Sequence, residues 1–414
     1  MTDPEHADAP RLTTQEAARR LGVKPETVYA YVSRGQLSSR RVPGGRGSTF
    51  DAREVDALAH RSAQREPARR SPELVFRTAV TLIEDDRCHL RGVDVTALAR
   101  HRTFEEVACW LWTGEPHPGA RLTSPATALR AARAAVAALP VGGGPVDRLQ
   151  AAVTAAAAAD PLRFDLSPGA VAGTARALLP VLVDALPAVA ENAPPPDASA
   201  PLVERLWPKL TSLAPHAAGL RALQAAMVLL VDHDLAASTL AARVAASVRA
   251  HPYAVVSAAL GALDGPLHGA ASGSAHGMLV AVGERGAGEV VAEHLRSGRP
   301  VPGLGHRVYR GEDPRAVCLF ALLADDPRAA APLAAAREVV ETASRDSGLH
   351  ANVDLALAVL TVAYDMPATG GETLFALART AGWIAHAVEE YRESPLRLRP
   401  AGRYEGPRPP QPLP

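Results

Sequence analysis

Three short motifs in the C-terminal half of the chain contain the residue types that acid–base chemistry requires. His268 lies in a Gly-Pro-Leu-His-Gly motif at residues 265–269, His306 ends a Gly-Leu-Gly-His motif, and Asp354 ends an Asn-Val-Asp motif. Glycine and proline beside the histidines favour sharp turns that can direct an imidazole into a cleft. A carboxylate base can remove a proton from carbon next to a thioester carbonyl, and imidazoles can donate to carbonyl oxygens. When folding brings these side chains together, they can convert a thioester to its enol. They can also polarise a ketone that the enol attacks.

Composition and charge exclude several classes of protein. The 414 residues suffice for two or more domains, and the 44 basic and 44 acidic residues balance, so no net charge indicates nucleic acid or membrane. The three cysteines form no disulfide or metal-ligand pattern, and we expect neither a metal nor a prosthetic group. The sequence contains no signal peptide and no apolar run long enough to span a bilayer. These features predict a cytoplasmic protein that makes no membrane contact.

Helical patterns dominate the chain after a charged, proline-containing segment at residues 62–75, which is typical of a linker. Alanine, leucine and valine recur there at helical spacing, with breaks at glycine or proline. The one strand-like stretch lies near residues 80–89. The pattern predicts an all-α domain over residues 76–408, which must bring the three motifs together, and a proline-rich tail at 409–414.

A separate small domain is predicted at residues 11–61. Thr13 or Thr14 can cap a first helix, and Gly22 can end it before a second helix begins. The glycine-rich segment 37–50 has the pattern of a two-stranded wing, and a third helix follows it. This arrangement resembles the small winged helix-turn-helix domains of the excisionase and MerR-like type.

Four arginines of this domain fall where a DNA phosphate backbone would be contacted. Arg34 lies at the end of the predicted second helix, and the predicted wing contains Arg40, Arg41 and Arg46. Arginine binds phosphate through charge-assisted, often bidentate hydrogen bonds. DNA is therefore a predicted partner through residues 11–61. In the alternative interpretation, the domain only packs against protein and its arginines are solvated.

Eight sequence blocks resemble the citrate synthase family and occur in the same order. They extend from about residue 76 to about residue 406, and include Val-Asp-His-Asp at 231–234, the three motifs above and Ala-Arg-Thr-Ala-Gly-Trp at 378–383. The resemblance implies the citrate synthase fold: a large helical domain and a small helical lid domain, here at about residues 272–360. It also implies a homodimer.

The resemblance gives each motif residue a role. Asp354 would be the base that takes the methyl proton of acetyl-CoA, His268 would bind the thioester oxygen as the enol forms, and His306 would polarise the ketone of oxaloacetate. The oxaloacetate-binding residues would be His233, Arg315 and Arg379, with Arg399 reaching across to the other subunit of the dimer. The loop that binds the adenine of CoA would consist of Val301, Pro302, Gly303, Leu304 and Gly305.

Some positions depart from the usual family pattern. Next to the motif residues, the family's asparagine, glutamate, asparagine and phenylalanine are replaced by Ser272, Asp234, Ala236 and Leu355, respectively. Three functions therefore stay open: condensation of acetyl-CoA with oxaloacetate to give citrate and CoA, 2-methylcitrate synthesis from propionyl-CoA, and DNA-binding regulation by a metabolite-sensing body. The complete set of base and imidazole donors favours the first, with acetyl-CoA as substrate and no cofactor.

Overall fold

A computed structural model describes residues 10–33, 36–41, 47–64, 76–190, 196–265, 268–344, 348–398, 404–408 and 410. Contacts divide the chain into two compact units, one of Met1–Phe76 with Arg399–Pro414 and one of Arg77–Leu398. The last helix of the first unit continues to Gln64, so it includes the first three residues of the predicted linker. Residues 65–75 of that linker, most of the predicted tail, and the predicted site residues Arg34, Arg46 and Arg399 lie outside the described residues.

The first unit consists of three helices and a small antiparallel sheet. The helices are α1 (Thr14–Leu21), α2 (Pro25–Ser33) and α3 (Ala52–Gln64), and the strands are β1 (Arg11–Thr13), β2 (Ser39–Arg41) and β3 (Ser48–Asp51). Strand β3 lies between the other two strands. The helices and the β2–β3 wing agree with the winged helix-turn-helix expectation. Strand β1 was not predicted; it precedes the first helix and pairs with β3 from Arg11 to Thr13.

Local sequence accounts for the turn between α1 and α2. Thr13 and Glu16 form a reciprocal capping box at the start of α1. Gly22 ends α1 in the left-handed conformation, at a φ of 66°, and Pro25 begins α2. The side chains that these turns direct inward form a separate small core of Ala17, Ala18, Val28, Leu37, Phe50, Val55 and Leu58.

The second unit is almost entirely helical, which agrees with the predicted all-α class. Its strands form one antiparallel sheet in the order β4 (Thr81–Glu84), β5 (Arg87–Leu90) and β6 (Val93–Asp94). Its helices are α4 (Val95–His101), α5 (Phe104–Thr113), α6 (Ala126–Ala137), α7 (Pro145–Ala158), α8 (Pro168–Ala185), α9 (Leu202–Leu210), α10 (Ala217–Leu230), α11 (Ala237–Ser247), α12 (Pro252–Leu263), α13 (Ala271–Arg285), α14 (Ala287–Arg296), α15 (Pro314–Leu323), α16 (Ala330–Ser344), α17 (Val353–Ala363) and α18 (Gly370–Glu390).

Helix α18 is the central element of the second unit, because it is buried along most of its length. Helices α5, α8, α10, α11, α12 and α17 all pack against it. Glycine permits the closest of these approaches: a Cβ added at Gly382 would lie 2.2 Å from the carbonyl oxygen of Val231. The segment after α10 therefore lies directly on α18, which brings residues 231–234 next to the middle of that helix.

Helices α13, α14, α16 and α17 pack on one another, within the region predicted to be the small lid domain. Helix α17 also contacts α15 and α18, so its first turn lies between this group and the large helical body. Among the described residues, no helix is both long and apolar enough to cross a bilayer.

Candidate active site

The first turn of α17 explains why asparagine, valine and aspartate stand together in one motif. The Asn352 side chain caps the helix, because its Oδ1 accepts the Asp354 backbone N–H at 2.9 Å. Its Nδ2 donates to the Gly305 carbonyl at 2.8 Å. The Val353 backbone N–H donates to Asp313 Oδ2 at 3.0 Å. Asparagine thus joins the loop around residue 305 to the helix that carries Asp354.

The Asp354 carboxylate is partly exposed, and no hydrogen bond to it is formed within the described parts of the chain. Burial among apolar neighbours raises the pKa of Asp354 to about 6; Arg315 and Arg379 oppose the effect, and Asp313 adds to it. A carboxylate with a pKa near the working pH is a stronger base than an ordinary aspartate and is still ionised at pH 7. Asp354 therefore has the properties of a general base.

The ring of His306 is oriented by its own loop. The backbone N–H groups of Val308 and Tyr309 point at His306 Nδ1, at 3.0 and 3.4 Å, so the neutral ring carries its proton on Nε2. Nε2 lies 3.3 Å from Nη2 of Arg315, which can only donate. Two donors at this separation require an acceptor from elsewhere. A ketone or carboxylate oxygen of a substrate would satisfy both.

His233 lies beside His306, with ring centroids 5.1 Å apart. The hydroxyl of Tyr309 is 2.8 Å from His233 Nε2, and Tyr309 is itself almost fully buried. Burial holds the pKa of His233 well below its usual range, and Arg315 and Arg379 lower it further. Burial, followed by Arg315, also lowers the pKa of His306. Both imidazoles are therefore neutral at pH 7, and they can donate only through the ring nitrogen that carries the proton.

His268 precedes α13, and its Nε2 lies 2.9 Å from the hydroxyl of Ser238. The indole N–H of Trp383 donates to the same hydroxyl at 3.2 Å, so the serine proton is free to donate to Nε2. The ring proton of His268 is then on Nδ1, where it can donate to a substrate oxygen. Burial and Arg379 lower the pKa of His268, which keeps this ring neutral as well. The Phe375 ring lies 5.7 Å from the His268 ring.

Arg315 and Arg379 are the two buried cations of the site. Asp313 binds Arg315 bidentately, with Nε–Oδ1 and Nη2–Oδ2 distances of 3.0 and 2.8 Å. Burial alone would lower the pKa of Arg315, but the Asp313 carboxylate raises it above the usual value. Arg379 Nε donates to the Leu230 carbonyl at 2.8 Å, and its guanidinium lies over the Phe375 ring at 4.4 Å.

Asp232 is the carboxylate that most favours the charged form of Arg379, and it is completely buried. Burial lowers the pKa of Arg379 to about 10, and Asp232 opposes this effect, so the guanidinium stays protonated at neutral pH. The Thr81 hydroxyl donates to Asp232 Oδ2. Arg243 donates to His386 Nδ1 at 3.0 Å, which leaves the His386 Nε2–H to donate to Asp232 at 3.2 Å. The Asp232 carboxylate thus accepts hydrogen bonds from two donors on separate elements.

The structure brings six of the predicted site residues into one cluster around the two arginines. His306 contacts Arg315 directly, the rings of His233 and His306 meet edge to face, and Phe375 links His268 to Arg379. Asp354 lies within the electrostatic reach of both guanidinium groups. These six residues are His233, His268, His306, Arg315, Asp354 and Arg379. Their catalytic and binding roles stay predictions.

The predicted CoA loop lies against the start of α17. It consists of Val301, Pro302, Gly303, Leu304 and Gly305. Gly303 and Gly305 have φ values of 79° and 77°, where a side chain would be strained. A Cβ added at Gly303 would lie 2.7 Å from Leu355 Cβ. The Asn352 N–H donates to the Gly303 carbonyl, and the Gly305 N–H donates to the His350 carbonyl. Glycine thus lets this loop run close beside Asp354; binding of adenine there stays a prediction.

Several residues that organise the site received no role from the sequence. Ser238 and Tyr309 orient two of the histidines, and each lies within five residues of a predicted site residue. Phe375 precedes Arg379 by four residues, a spacing that places both side chains on one face of a helix. The sequence could therefore have identified Phe375 as a neighbour of Arg379. Among the residues that the structure describes, no cluster of three or more His, Cys, Asp or Glu could hold a metal ion.

Comparison with known proteins identifies the family of this chain. The family model described as "Citrate synthase, C-terminal domain" matches residues 72–401, and the one described as "Helix-turn-helix domain" matches residues 11–62. The chain belongs to the citrate synthase family. It is therefore an enzyme of the acyltransferase class with an N-terminal helix-turn-helix domain.

Relatives and solved structures agree with this assignment. The citrate synthase of Synechocystis sp. is 30% identical over 338 residues, covering 76% of this chain and 84% of that protein. The citrate synthase of Acidithiobacillus ferridurans is 29% identical over 345 residues, covering 76% and 88%. The crystal structure of citrate synthase from Thermotoga maritima matches 83% of this chain and 97% of its own, at 28% identity and a TM-score of 0.67. The enzyme from Thermoplasma acidophilum, solved with carboxymethyl coenzyme A and oxaloacetate, shares the fold at 23% identity, a TM-score of 0.68 and the same coverage.

The raised pKa of Asp354 predicts a pH-dependent cost in stability. The folded pKa of about 6 exceeds the ordinary value of 3.8, so the folded state binds the proton more tightly and loses stability as pH rises between these values. Asp354→Asn should therefore be more stable than the parent protein by about 3 kcal/mol at pH 8, and about equal near pH 4. Asp313→Asn is the opposite case, because the pKa of Asp313 is lowered; it should lose stability at pH 8. Urea denaturation of the three proteins at both pH values measures this. Equal stability of Asp354→Asn and the parent at pH 8 would contradict the raised pKa.

Proposed function

We propose that this enzyme condenses acetyl-CoA with oxaloacetate to give citrate and free CoA. The observation that carries the proposal is the pair of donors at His306 Nε2 and Arg315 Nη2, 3.3 Å apart, close to a carboxylate whose pKa is raised. These groups supply a site for a ketone oxygen and a base for a carbon acid in one cluster. The three cysteines are buried free thiols, which fits the reducing cytoplasm that we propose as the compartment.

The first step is enolisation of the thioester. Asp354 takes a proton from the methyl carbon of acetyl-CoA, and the C–H electron pair forms the carbon–carbon double bond. The Nδ1–H of His268 donates to the thioester oxygen, where negative charge develops. Ser238 supports this donor through Nε2 and keeps the proton on the correct nitrogen. A neutral imidazole suits the task, because a charged one would attract the Asp354 carboxylate and weaken the base.

The second step forms the carbon–carbon bond. The enol carbon attacks the ketone carbon of oxaloacetate, whose oxygen accepts hydrogen bonds from His306 Nε2 and Arg315 Nη2 and takes the proton of His306 Nε2; the ring regains a proton from solvent as Asp354 releases the one it took. The carboxylates of oxaloacetate bind Arg315, Arg379 and His233, with Arg399 supplied across the dimer. Water then cleaves the citryl thioester, which releases CoA and citrate. Acetyl-CoA, oxaloacetate and water thus account for every product atom.

The acyl group of the CoA substrate is the part of this proposal for which there is a specific alternative. Phe375 lies beside His268 and would face the acyl carbon next to the thioester. A further methyl group on that carbon must fit against this ring, which favours acetyl-CoA. The alternative is 2-methylcitrate synthesis, in which the enzyme accepts propionyl-CoA.

Release of the free CoA thiol from the full-length protein tests the reaction. Acetyl-CoA and propionyl-CoA are each supplied with and without oxaloacetate, and oxaloacetate-dependent release identifies the donor. Asp354→Asn should lose about 10²–10⁴-fold in kcat, because the proton transfer loses its base. Asp365→Asn is the matched control, since Asp365 is an exposed aspartate just beyond the other end of α17. In the parent, kcat/KM should rise about tenfold per pH unit up to about pH 6 and then level off, because only ionised Asp354 is a base.

Each outcome of this assay has a definite meaning. A folded parent protein that releases no thiol would overturn the condensation, and a parental rate in Asp354→Asn would overturn the role of that residue. Propionyl-CoA preference would establish the 2-methylcitrate alternative.

We also propose that the enzyme is a homodimer that associates through α11. Leu240 and Val244 on α11 and Val248 directly after it, spaced four residues apart, are 38%, 43% and 55% exposed. Such a stripe on a helix surface is typical of a protein interface. Leu396 is also exposed, and its backbone N–H donates to the carbonyl oxygen of Ser247 at the end of α11. The stripe is therefore close to the segment that leads to Arg399.

A charge placed in this stripe should separate the subunits. We expect Val244→Asp to be monomeric in sedimentation velocity at micromolar concentration and to lose activity, since Arg399 would no longer complete the other site. Val280→Asp is the control, because Val280 is equally exposed on α13, at 42%. A Val244→Asp protein that sediments as a dimer would refute the interface.

The helix-turn-helix domain supports a second proposed function, DNA binding, in addition to catalysis. Its second helix presents the half-exposed Tyr29, and strand β2 exposes Arg40 and Arg41. Lys24 is exposed in the turn between the first two helices. These residues lie on the elements that contact DNA in domains of this type. A protein that binds oxaloacetate or CoA without turnover would instead be a metabolite-sensing regulator.

Fluorescence anisotropy with a mixed-sequence DNA duplex tests this binding. We expect salt-dependent affinity, and the double variant Arg40→Ala/Arg41→Ala should lower the slope of log K against log[salt] by about 2. Arg285→Ala is the control, because Arg285 is an exposed arginine on α13 in the other unit. Equal slopes for the parent and the double variant would show that the wing does not contact DNA.

A further inference from the structure

The turn between β4 and β5 has an unusual backbone for its sequence. Asp85 and Asp86 have φ values of 49° and 56°, and they join strands paired from Glu84 to Arg87. A two-residue turn with both residues left-handed normally contains glycine, asparagine or aspartate, and glycine usually occupies at least one of the two positions. Two consecutive aspartates place a side chain at both positions, which costs more conformational energy than a turn with glycine. At least one of the carboxylates is expected to have a further task.

Asp86 has such a task. Its Oδ1 accepts the backbone N–H of Arg310 at 2.8 Å, and its Oδ2 accepts that of Gly311 at 3.0 Å. Consecutive backbone N–H groups form a favourable binding site for an anion. The approach is close, since a Cβ added at Gly311 would lie 3.2 Å from Oδ2. No hydrogen bond or ion pair of Asp85 occurs among the residues the structure describes.

The two N–H groups that Asp86 binds belong to a longer run. Those of Val308 and Tyr309 point at His306 Nδ1, and those of Arg310 and Gly311 point at Asp86. Four consecutive backbone donors are thus divided between one imidazole and one carboxylate. The first pair determines that the His306 proton is on Nε2. The second pair anchors the loop that carries the first pair.

We propose that Asp86 is a positioning residue for His306. It holds the 308–311 backbone in the one conformation that keeps Nδ1 occupied and Nε2–H directed at the ketone oxygen. The inference rests on the proposed condensation, in which His306 polarises that ketone. Asp86 does not touch the substrate; it acts through the loop. Without it, the loop gains freedom and the His306 proton is no longer confined to Nε2.

The same hairpin contacts the loop at a second point. Cys88, a buried residue of β5, lies near Tyr309 and contributes to the raised pKa of its hydroxyl, which in turn contacts His233. Burial raises the pKa of Cys88 to about 11, so the group is a neutral thiol and not a nucleophile. The hairpin therefore approaches the loop at Tyr309 as well as at Arg310 and Gly311. Asp86 supplies the charged contact, which is the stronger type.

Paired glycine substitutions separate the effect of the Asp86 carboxylate from the effect of the turn conformation. Asp86→Gly and Asp85→Gly both remove a side chain at a left-handed position that glycine adopts without strain. Only Asp86→Gly removes the contact with the loop. Asp86→Asn keeps one acceptor oxygen and should fall between Asp86→Gly and the parent. Thermal unfolding of each full-length variant shows whether the fold is preserved.

Hydrogen–deuterium exchange and steady-state kinetics then give separate measurements. In Asp86→Gly, amide exchange in the segment 306–311 should accelerate at least about tenfold, with the rest of the chain unchanged. The value of kcat should fall about 10–100-fold, because a displacement of about 1 Å costs this much. KM for acetyl-CoA should change less than KM for oxaloacetate, since His306 contacts the latter. Asp85→Gly should match the parent in both measurements.

The possible results are distinct. Asp86→Gly with the activity and exchange of Asp85→Gly would overturn the proposal while leaving the condensation intact. A parent protein without condensation activity would overturn the proposed function, and exchange at 306–311 would still decide whether Asp86 anchors the loop. If Asp86→Gly fails to fold, Asp86→Asn decides: a folded Asp86→Asn with parental exchange and parental kcat would also refute the positioning role.

Discussion

Two buried guanidinium groups are the constraint on which the site depends. Arg315 and Arg379 lie inside a helical core, where an unpaired charge costs several kcal/mol. Each is balanced by one aspartate, Asp313 for Arg315 and Asp232 for Arg379. Asp313 also accepts the N–H of Val353 at the start of α17. The aspartate that balances Arg315 therefore also fixes the start of the helix that carries the predicted base.

The same cations determine the protonation states around them. Burial and positive charge both lower the pKa of the three site histidines, so all three are neutral, and hydrogen bonds assign the tautomers of His268 and His306. Asp354 experiences the opposite balance, because burial outweighs the attraction of the arginines and raises its pKa. A base, two neutral donors and two cations thus coexist without mutual neutralisation. An oxaloacetate dianion would complete the charge balance of the cluster.

The β4–β5 hairpin shows how much a small element can contribute. Thr81 donates to the Asp232 carboxylate, Cys88 lies near Tyr309, and Asp86 binds the loop after His306. The sequence indicated only a short strand-like stretch here. These contacts join residues more than 150 positions apart, and no local pattern indicates such partners. The unpredicted β1 strand is a similar case, because its pairing depends on β3 and not on its own three residues.

The sequence by itself determined the helical class, the helix-turn-helix, the three motifs and the family to which they belong. Caps such as Asn352 and Thr13, and turns such as that at Gly22, depend on residues a few positions apart, so their chemistry can be recognised in the sequence. Only the tertiary structure showed which nitrogen of His268 and of His306 is protonated, that burial raises the pKa of Asp354, and that Ser238, Tyr309 and Asp86 orient the reactive groups. The physical reason is that hydrogen-bond partners and desolvation depend on what packing brings within about 3 Å, and distant segments supply most of those neighbours.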